Sequence, residues 1–177
     1  MKILKEINQN IEFFGRYKDQ IFFTWNKSSA LELETFLENI REKHLNVRFQ
    51  KFISTNAQFL NAYIENQQGQ LYSRVHYDPN IPRYTLPYTM SHSKSAHSDW
   101  LRAVLILAVC YCTLVDDFQQ ERIYLELAYL INSYSLLFVE THVKHFFNYF
   151  HAQIMRYSAN QSIYDKFRQQ WFKFVEQ

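Results

Sequence analysis

The sequence predicts an α+β fold, in which a small antiparallel sheet with one packed helix precedes an all-helical bundle. Short apolar runs with tight polar turns fill residues 12–77, whereas residues 98–177 have helical periodicity only. All three prolines lie between them, in residues 78–97. We therefore expect a domain 1–77, a connector 78–97 and a helical domain 98–177.

The first element predicted is a β-hairpin. Residues 12–25 read EFFGRYKDQIFFTW and place apolar blocks on both sides of a polar centre, Tyr17-Lys18-Asp19-Gln20. This pattern suits two strands joined by a tight turn, with Asp19 at its tip.

A helix and a small meander follow. Ser29 and Glu32 have the spacing of a capping box, and helical periodicity then continues to His44. Extended segments are predicted to pass through residues 47–53, 58–65 and 71–77, with Gly69 in the last turn.

The C-terminal half predicts four amphipathic helices, over residues 98–114, 117–132, 136–157 and 161–175. The apolar run 100–115 is shorter than the roughly 20 residues of a membrane span, so it indicates a buried helix. Cys110 and Cys112 are expected to be buried thiols. No signal peptide is recognised, and we expect an intracellular protein, nuclear or cytoplasmic.

Composition excludes two large classes of binding site. The chain has only two glycines, Gly15 and Gly69, so the glycine-rich loops of P-loop and dinucleotide-binding proteins are absent from its sequence. The net charge is +2, without the strong basic excess typical of nucleic-acid-binding domains.

Asp19 is the first chemical hint. A carboxylate at a hairpin tip, two residues after an aromatic and framed by apolar strands, can hold a divalent metal. Aspartate is also a common turn residue in proteins without a metal, so the tetrapeptide alone leaves both interpretations open.

An ordered series of motifs extends this hint. It runs GRYKDQIFFTWN at 15–26, HLNVRF at 44–49, FLN at 59–61, GQLYSRVHYDP at 69–79, the connector 84–92, residues 102–112, DFQQERIYLEL at 117–127 and NSYSLLFVE at 132–140. In this order the motifs resemble the end of the reverse transcriptase of Penelope-like retroelements. The resemblance covers residues 15–150.

The resemblance implies an inherited activity, RNA-directed DNA polymerisation with Mg²⁺, and a template-primer duplex as partner. Residues 15–25 would be the motif C hairpin, 58–77 the primer-gripping hairpin, and 98–157 a thumb or helix-turn-helix-like region. Asp19 would be the metal ligand. The implied duplex contacts are Arg16, Lys18, Arg74, Arg83, Lys94 and Arg102, with Tyr72, Tyr77 and Tyr84 available for stacking.

Two departures argue against activity in this chain. The family's paired aspartates correspond to Asp19 and Gln20, and an amide cannot bring the negative charge that Mg²⁺ prefers. The eleven residues before Glu12 leave no room for a second metal-binding strand, and Glu12 itself is expected to face solvent. We therefore predict a truncated, element-derived protein that is inactive alone.

Two other functions remain open. Residues 98–177 would act as a nucleic-acid-binding module if they bound duplexes in a salt-sensitive manner. A non-catalytic interaction protein would instead self-associate through the exposed apolar surface of the palm remnant.

For several clusters of polar residues we prefer a structural explanation to a metal-binding or catalytic one. His142, His145 and His151 are expected on a hydrated helix face, and His92 and His97 in a hydrated connector. The acidic residues Asp116, Asp117 and Glu121 are explained by the N-terminus of a helix, which favours negative charge.

Overall fold

The computed structural model describes residues 13–25, 29–43, 50–78, 80, 85–89 and 91–175. The chain divides into two compact units, Met1–Ser54 and Thr55–Gln177. Over the described residues the fold is α+β, as predicted, with two antiparallel sheets and five α-helices. The division into domains 1–77 and 98–177 stays a prediction.

The first unit contains the predicted hairpin and helix. Strands β1 (Phe14–Tyr17) and β2 (Gln20–Phe23) pair antiparallel. Helix α1 (Ala30–Lys43) begins directly after Ser29, and it buries Leu33 and Ile40. Apolar residues seven positions apart lie on one helical face, which explains why this pair shares the buried side.

The second unit begins with a three-stranded sheet. Its strands β3 (Asn56–Phe59), β4 (Ala62–Gln67) and β5 (Gln70–Val75) follow one another in space as in sequence. Gly69 has a φ of 91° in the β4–β5 turn, a conformation that glycine adopts without steric cost. The sheet is thus a meander of two consecutive hairpins.

Two predicted extended segments need correction. The chain does not run straight through residues 58–65, because it reverses at Leu60, whose φ is 55°. Residues 50–54 lie outside any strand, and the motif at 44–49 lies outside the described residues.

Four helices and a short 3-10 turn complete the second unit. They are α2 (Lys94–Tyr111), α3 (Val115–Ile131), α4 (Leu136–Tyr149), the 3-10 turn Gln153–Arg156 and α5 (Gln161–Val175). Their buried faces form one core, centred on fully buried side chains that include Leu105, Phe118, Val143 and Tyr164. Burial of this apolar surface is the main source of their stability.

The sheet is joined to the helices at the α2–α3 corner. The Thr113 amide donates to the Ser73 carbonyl at 2.8 Å, and the Ser73 amide donates to Oγ1 of Thr113 at 2.9 Å. Val75, on the same face of β5, packs against the helical core. These contacts fix β5 beside α3.

Two helix boundaries differ from the prediction by four residues or more. Helix α2 begins at Lys94, not at residue 98, because Oγ of Ser93 accepts a 3.1 Å hydrogen bond from the Ala96 amide. Helix α4 ends at Tyr149, not at residue 157. His151 has a φ of 51° and reverses the chain there.

The apolar run in α2 is a buried helix, as predicted, with Leu101 and Leu105 almost fully covered. Both cysteines are free. Cys112 is buried, and burial raises the pKa of its thiol to about 12. Cys110 is half-buried and lies 3.2 Å from the indole nitrogen of Trp171. None of the described helices is long and apolar enough to cross a membrane.

Candidate functional site

The turn of the first hairpin holds Lys18 and Asp19, so Asp19 lies at the tip as predicted. Nε of Arg16 donates to the Lys18 carbonyl at 3.3 Å, and the Lys18 ammonium lies 5.3 Å from the centre of the Tyr17 ring. All four side chains are exposed. The tip therefore presents one carboxylate and two cations to solvent.

This charge arrangement suits an anion better than a magnesium ion. Gln20 begins β2 opposite Tyr17 and is neutral, so Asp19 has no second carboxylate beside it on the hairpin. A divalent cation at the tip would be attracted by Asp19 but repelled by Arg16 and Lys18. A phosphate would be attracted by both cations.

A second group of candidate residues lies on the β4–β5 sheet. The guanidinium of Arg74 lies 5.1 Å from the centre of the Tyr63 ring, its direct cross-strand neighbour. The rings of Tyr63 and His76 are 6.5 Å apart, and the Tyr72 hydroxyl donates to the side chain of Gln70 at 2.7 Å. A cation interleaved with aromatic rings can contact phosphates and bases.

A cleft of about 480 Å³ lies between the end of β5 and helix α3. The Tyr77 hydroxyl donates a 2.7 Å hydrogen bond to Oε1 of Glu121, which is 8% exposed. Burial raises the pKa of Asp117, while the nearby Arg74 opposes that rise. The cleft is lined by Arg74, Val75, His76, Tyr77, Cys112, Asp117, Gln120, Glu121 and Tyr124.

The acidic residues of α3 therefore fall into two groups. Asp116 and Asp117 lie in the first turn, where the helix dipole favours negative charge. Glu121 lies beyond that turn, and its carboxylate binds Tyr77. The helix terminus explains the first two residues but is an incomplete explanation for Glu121.

The remaining duplex-contact candidates lie on α2 or outside the described residues. Lys94 is the exposed first residue of α2. Arg102 is exposed, and its guanidinium lies 4.7 Å from the centre of the Tyr149 ring, beside a small cleft of about 200 Å³. Arg83 and Tyr84 lie outside the described residues, as does Glu12.

The structure gathers some of the predicted residues and leaves others apart. Arg16, Lys18 and Asp19 share one hairpin of the first unit. The second unit carries the rest that are described, with Arg74 on the sheet and with Lys94 and Arg102 on helix α2.

The helix α4 histidines have ordinary packing contacts. Nδ1 of His142 lies 2.8 Å from the Phe138 carbonyl, and its ring stacks on the Phe138 ring at 4.0 Å. His145 is exposed beside it, whereas His151 lies beyond the helix, which corrects the expected three-histidine face. Among the described residues, no three His, Cys, Asp or Glu side chains are grouped to hold a metal.

His97 contradicts the expectation of a hydrated connector. It lies in the first turn of α2 and is 2% exposed. Its Nδ1 is 2.7 Å from the Tyr134 hydroxyl, and its Nε2 is 3.1 Å from the Thr89 carbonyl. The sequence contained one usable signal, since Ser93 is a good N-cap residue and moves the helix start to include His97. His92, by contrast, is exposed.

Comparison of the chain with protein-family models, with curated proteins and with solved structures finds no match.

Proposed function

We propose that this chain is a reverse-transcriptase-like protein of retroelement origin that does not polymerise DNA by itself. One observation carries the proposal: the exposed hairpin tip holds a lone carboxylate, Asp19, with Arg16 and Lys18 beside it. By the resemblance the tip would correspond to a polymerase metal site, but it lacks the negative charge that such a site needs.

The order of the elements supports the proposed reverse-transcriptase-like origin of the chain. The hairpin is followed by α1, then by a glycine-turn hairpin and then by helices, which is the order that the resemblance implies. The glycine turn itself is formed, with Gly69 at positive φ between β4 and β5.

The proposed lack of polymerase activity follows from electrostatics. Two-metal nucleotidyl transfer requires several carboxylates that clamp both ions, because each ion carries two positive charges. Asp19 is the only acidic residue from Phe13 to Trp25. One carboxylate beside two cations cannot neutralise a pair of magnesium ions.

Primer extension tests this part of the proposal. We expect no Mg²⁺-dependent extension of an RNA-templated primer by the 177-residue chain. We also expect none from Gln20→Asp, since a second carboxylate on the same hairpin leaves Arg16 and Lys18 in place. Extension by the unmodified chain that disappears in Asp19→Asn would refute the proposal.

The partner retained from the inherited function is a template-primer duplex. Arg74 and Arg102 are exposed and each lies over a tyrosine ring, so both can reach a phosphate. Removal of either cation is expected to reduce the slope of log affinity against log salt by roughly 1, because one fewer phosphate is neutralised.

Fluorescence anisotropy with a labelled RNA–DNA hybrid tests this partner. We expect Arg74→Gln and Arg102→Gln each to weaken binding several-fold and to flatten the salt dependence. Lys166→Gln, which removes the same charge from an exposed position on α5, is the matched control and should bind almost as well as the unmodified chain. Absence of binding at low salt would exclude the duplex without affecting the result of the extension assay.

A second candidate function, self-association, is favoured by the outer face of α3. Ile123, Leu127 and Ile131 are 48%, 53% and 83% exposed. Their four-residue spacing aligns them on one uncharged stripe. The stripe can pack against a second copy of itself around a two-fold axis near Leu127 without like-charge repulsion.

Sedimentation analysis separates this candidate from the first. We expect a concentration-dependent dimer that Leu127→Glu abolishes, because the carboxylate would be buried without a partner. Leu107→Glu, on the 43% exposed side chain of α2, should leave the dimer intact. A monomer at every concentration would eliminate this candidate.

A further inference from the structure

The cleft between β5 and α3 has charged groups of opposite sign on its two walls. One cation, Arg74, lines it on the strand side, and two carboxyl groups, Asp117 and Glu121, line it on the helix side. Its volume of about 480 Å³ lies within the range of about 300–1,000 Å³ that is typical of small-molecule sites. The cleft is therefore large enough for a small polar ligand.

Asp117 is a carboxylate without a partner in the protein. It is half-buried in the first turn of α3, and it forms neither a hydrogen bond nor an ion pair with any residue that the structure describes. Burial raises its pKa, because water reaches the charge only in part. A polar group in such a place costs free energy until it finds a partner, and a cationic group in the cleft would supply one.

Arg74 is the corresponding cation on the opposite wall. It is exposed, and over the described part of the chain it too has no hydrogen bond or ion pair. Its guanidinium lies 5.1 Å from the centre of the Tyr63 ring, and this contact restricts its orientation. A guanidinium held in this way can bind a carboxylate through two parallel hydrogen bonds.

Arg74 and Asp117 influence each other although they do not touch. Arg74 lowers the pKa of Asp117, but by less than burial raises it. The dipole of α3 explains a negative charge at the helix start, but it does not explain an unpaired arginine on the facing wall. A ligand that carries both an anion and a cation can satisfy both side chains, whereas a simple ion would be attracted by one and repelled by the other.

The hydrogen-bonding groups of the cleft favour a primary amine as the cationic part of the ligand. The Asp117 carboxylate and the side-chain carbonyl of Gln120 both accept hydrogen bonds. A primary ammonium group donates three hydrogen bonds, whereas a quaternary ammonium group donates none. Val75 and the buried Cys112 add apolar surface to the same lining. This combination fits an α-amino acid with an apolar side chain.

We propose that the cleft between β5 and α3 binds a free α-amino acid with an apolar or aromatic side chain. Arg74 binds the carboxylate of the ligand, and Asp117 and Gln120 bind its ammonium group. The side chain of the ligand lies against Val75 and Tyr124, which line the same cleft. No nucleic acid takes part, so this site is independent of the proposed origin of the chain.

An NMR titration of the full chain with L-phenylalanine tests the site. We expect saturable binding that Arg74→Gln and Asp117→Asn each weaken by about tenfold or more, because each removes a hydrogen bond to a charged group. Arg41→Gln and Asp116→Asn remove the same charges from exposed positions outside the cleft lining, and both should bind almost as well as the unmodified chain. Absence of saturable binding up to about 10 mM would overturn the proposal.

Two blocked ligands test which charge each side chain binds. Phenylalanine amide lacks the carboxylate, so its weaker binding should not weaken further in Arg74→Gln. N-acetylphenylalanine lacks the ammonium group, so its binding should not weaken further in Asp117→Asn. A blocked ligand that still lost affinity when the partner of its missing charge was substituted would contradict the assignment.

The same variants separate this site from the proposed duplex contact. Arg74 is common to both, whereas Asp117 belongs to the cleft alone. Binding of the RNA–DNA hybrid without binding of phenylalanine would remove only the amino-acid site, and the reverse result would remove only the duplex. Far-UV circular dichroism of both variants should match that of the unmodified chain, since Arg74 is exposed and burial favours a neutral side chain in place of Asp117.

Discussion

The Tyr77 hydroxyl donates a 2.7 Å hydrogen bond to Oε1 of Glu121 and thereby ties the chain after β5 to helix α3. Glu121 is 8% exposed, so the hydrogen bonds of its side chain come mainly from within the protein. Four residues earlier, Ser73 of β5 forms hydrogen bonds with Thr113, which lies just before α3. Together, the Ser73–Thr113 and Tyr77–Glu121 hydrogen bonds hold the sheet against the helical core.

Tyr77→Phe is expected to destabilise the second unit by about 2 kcal/mol, because it removes a hydrogen bond to a buried carboxylate. Urea unfolding followed by tryptophan fluorescence measures the change. Tyr72→Phe is the matched control. Its hydroxyl donates to the exposed Gln70 side chain, and the loss of that hydrogen bond should cost less than about 0.5 kcal/mol. Equal effects of the two substitutions would contradict the role given to Glu121.

Asp117 gives the second unit a pH dependence of predictable sign. Burial raises the pKa of this carboxyl above its ordinary 3.8, with Arg74 opposing the rise and Asp116 adding to it. Between the unfolded and the folded pKa the native state binds more protons than the unfolded state. The free energy of unfolding contributed by Asp117 therefore falls as pH rises through this window.

Asp117→Asn should remove that fall. Subtracting the variant's free energy of unfolding from that of the unmodified chain should give a difference that decreases as pH rises from 3.8 and then levels off. Urea unfolding between about pH 3 and pH 7 measures it. Asp116→Asn leaves Asp117 in its half-buried place and should retain most of the decrease. A difference that increases with pH would show that the charged form is favoured instead.

His151 ends helix α4 in the left-handed region, where a side chain is sterically unfavourable. The His151 amide donates to Asn148 at 3.1 Å, and the Ala152 amide donates to Phe147 at 2.8 Å, which is the pattern of a Schellman cap. Glycine is the residue usually found at this position. The fold therefore keeps the cap despite an unfavourable residue.

His151→Gly is expected to stabilise the protein by roughly 0.5–1 kcal/mol, since relief of the left-handed strain exceeds the added chain entropy of glycine. Thermal unfolding measures the gain. His145→Gly, in the exposed middle of the same helix, should instead cost about 1 kcal/mol. A loss of stability in both variants would mean that the His151 side chain contributes more than its backbone strain costs.

The absence of glycine from several chain reversals explains where the fold was predicted poorly from the sequence. Leu60, Ser133 and His151 all adopt positive φ where the chain reverses, yet none of them is a glycine, the residue that most clearly marks such a reversal in a sequence. The predicted strand 58–65 and the predicted helix 136–157 therefore ran past real ends. At Ser29 the capping signal predicted the helix start, and in the turn before Gln20 the polar residues predicted the reversal although Lys18 also has a positive φ of 51°.

The candidate site residues likewise fall into those that could be predicted from the sequence and those that could not. The position of Asp19 at a hairpin tip depends on residues next to it in sequence, and it could be predicted. The pairing of Tyr77 with Glu121 spans 44 positions and that of His97 with Tyr134 spans 37. Such contacts depend on how the elements pack, and no periodicity within one helix or strand encodes them.

Phe118 is the residue through which α3 holds both of the helices that follow it. It is 0% exposed, its ring stacks on Tyr164 of α5 at 5.1 Å, and it meets the edges of Phe147 of α4 and Phe167 of α5, each at 6.3 Å. Truncation leaves a cavity among aromatic rings, which cannot collapse easily because they are packed against one another.

Phe118→Ala should therefore destabilise the helical core by about 3–5 kcal/mol, and Phe118→Leu by less, because leucine fills part of the cavity. Chemical unfolding monitored by far-UV circular dichroism measures both. Leu137→Ala, at a 77% exposed position of α4, removes apolar atoms that contact mainly solvent and should change the free energy of unfolding by less than about 0.5 kcal/mol. An equal denaturant midpoint for Phe118→Ala and Leu137→Ala would contradict this role of the Phe118 ring. The helical core would then depend mainly on the contacts of α2.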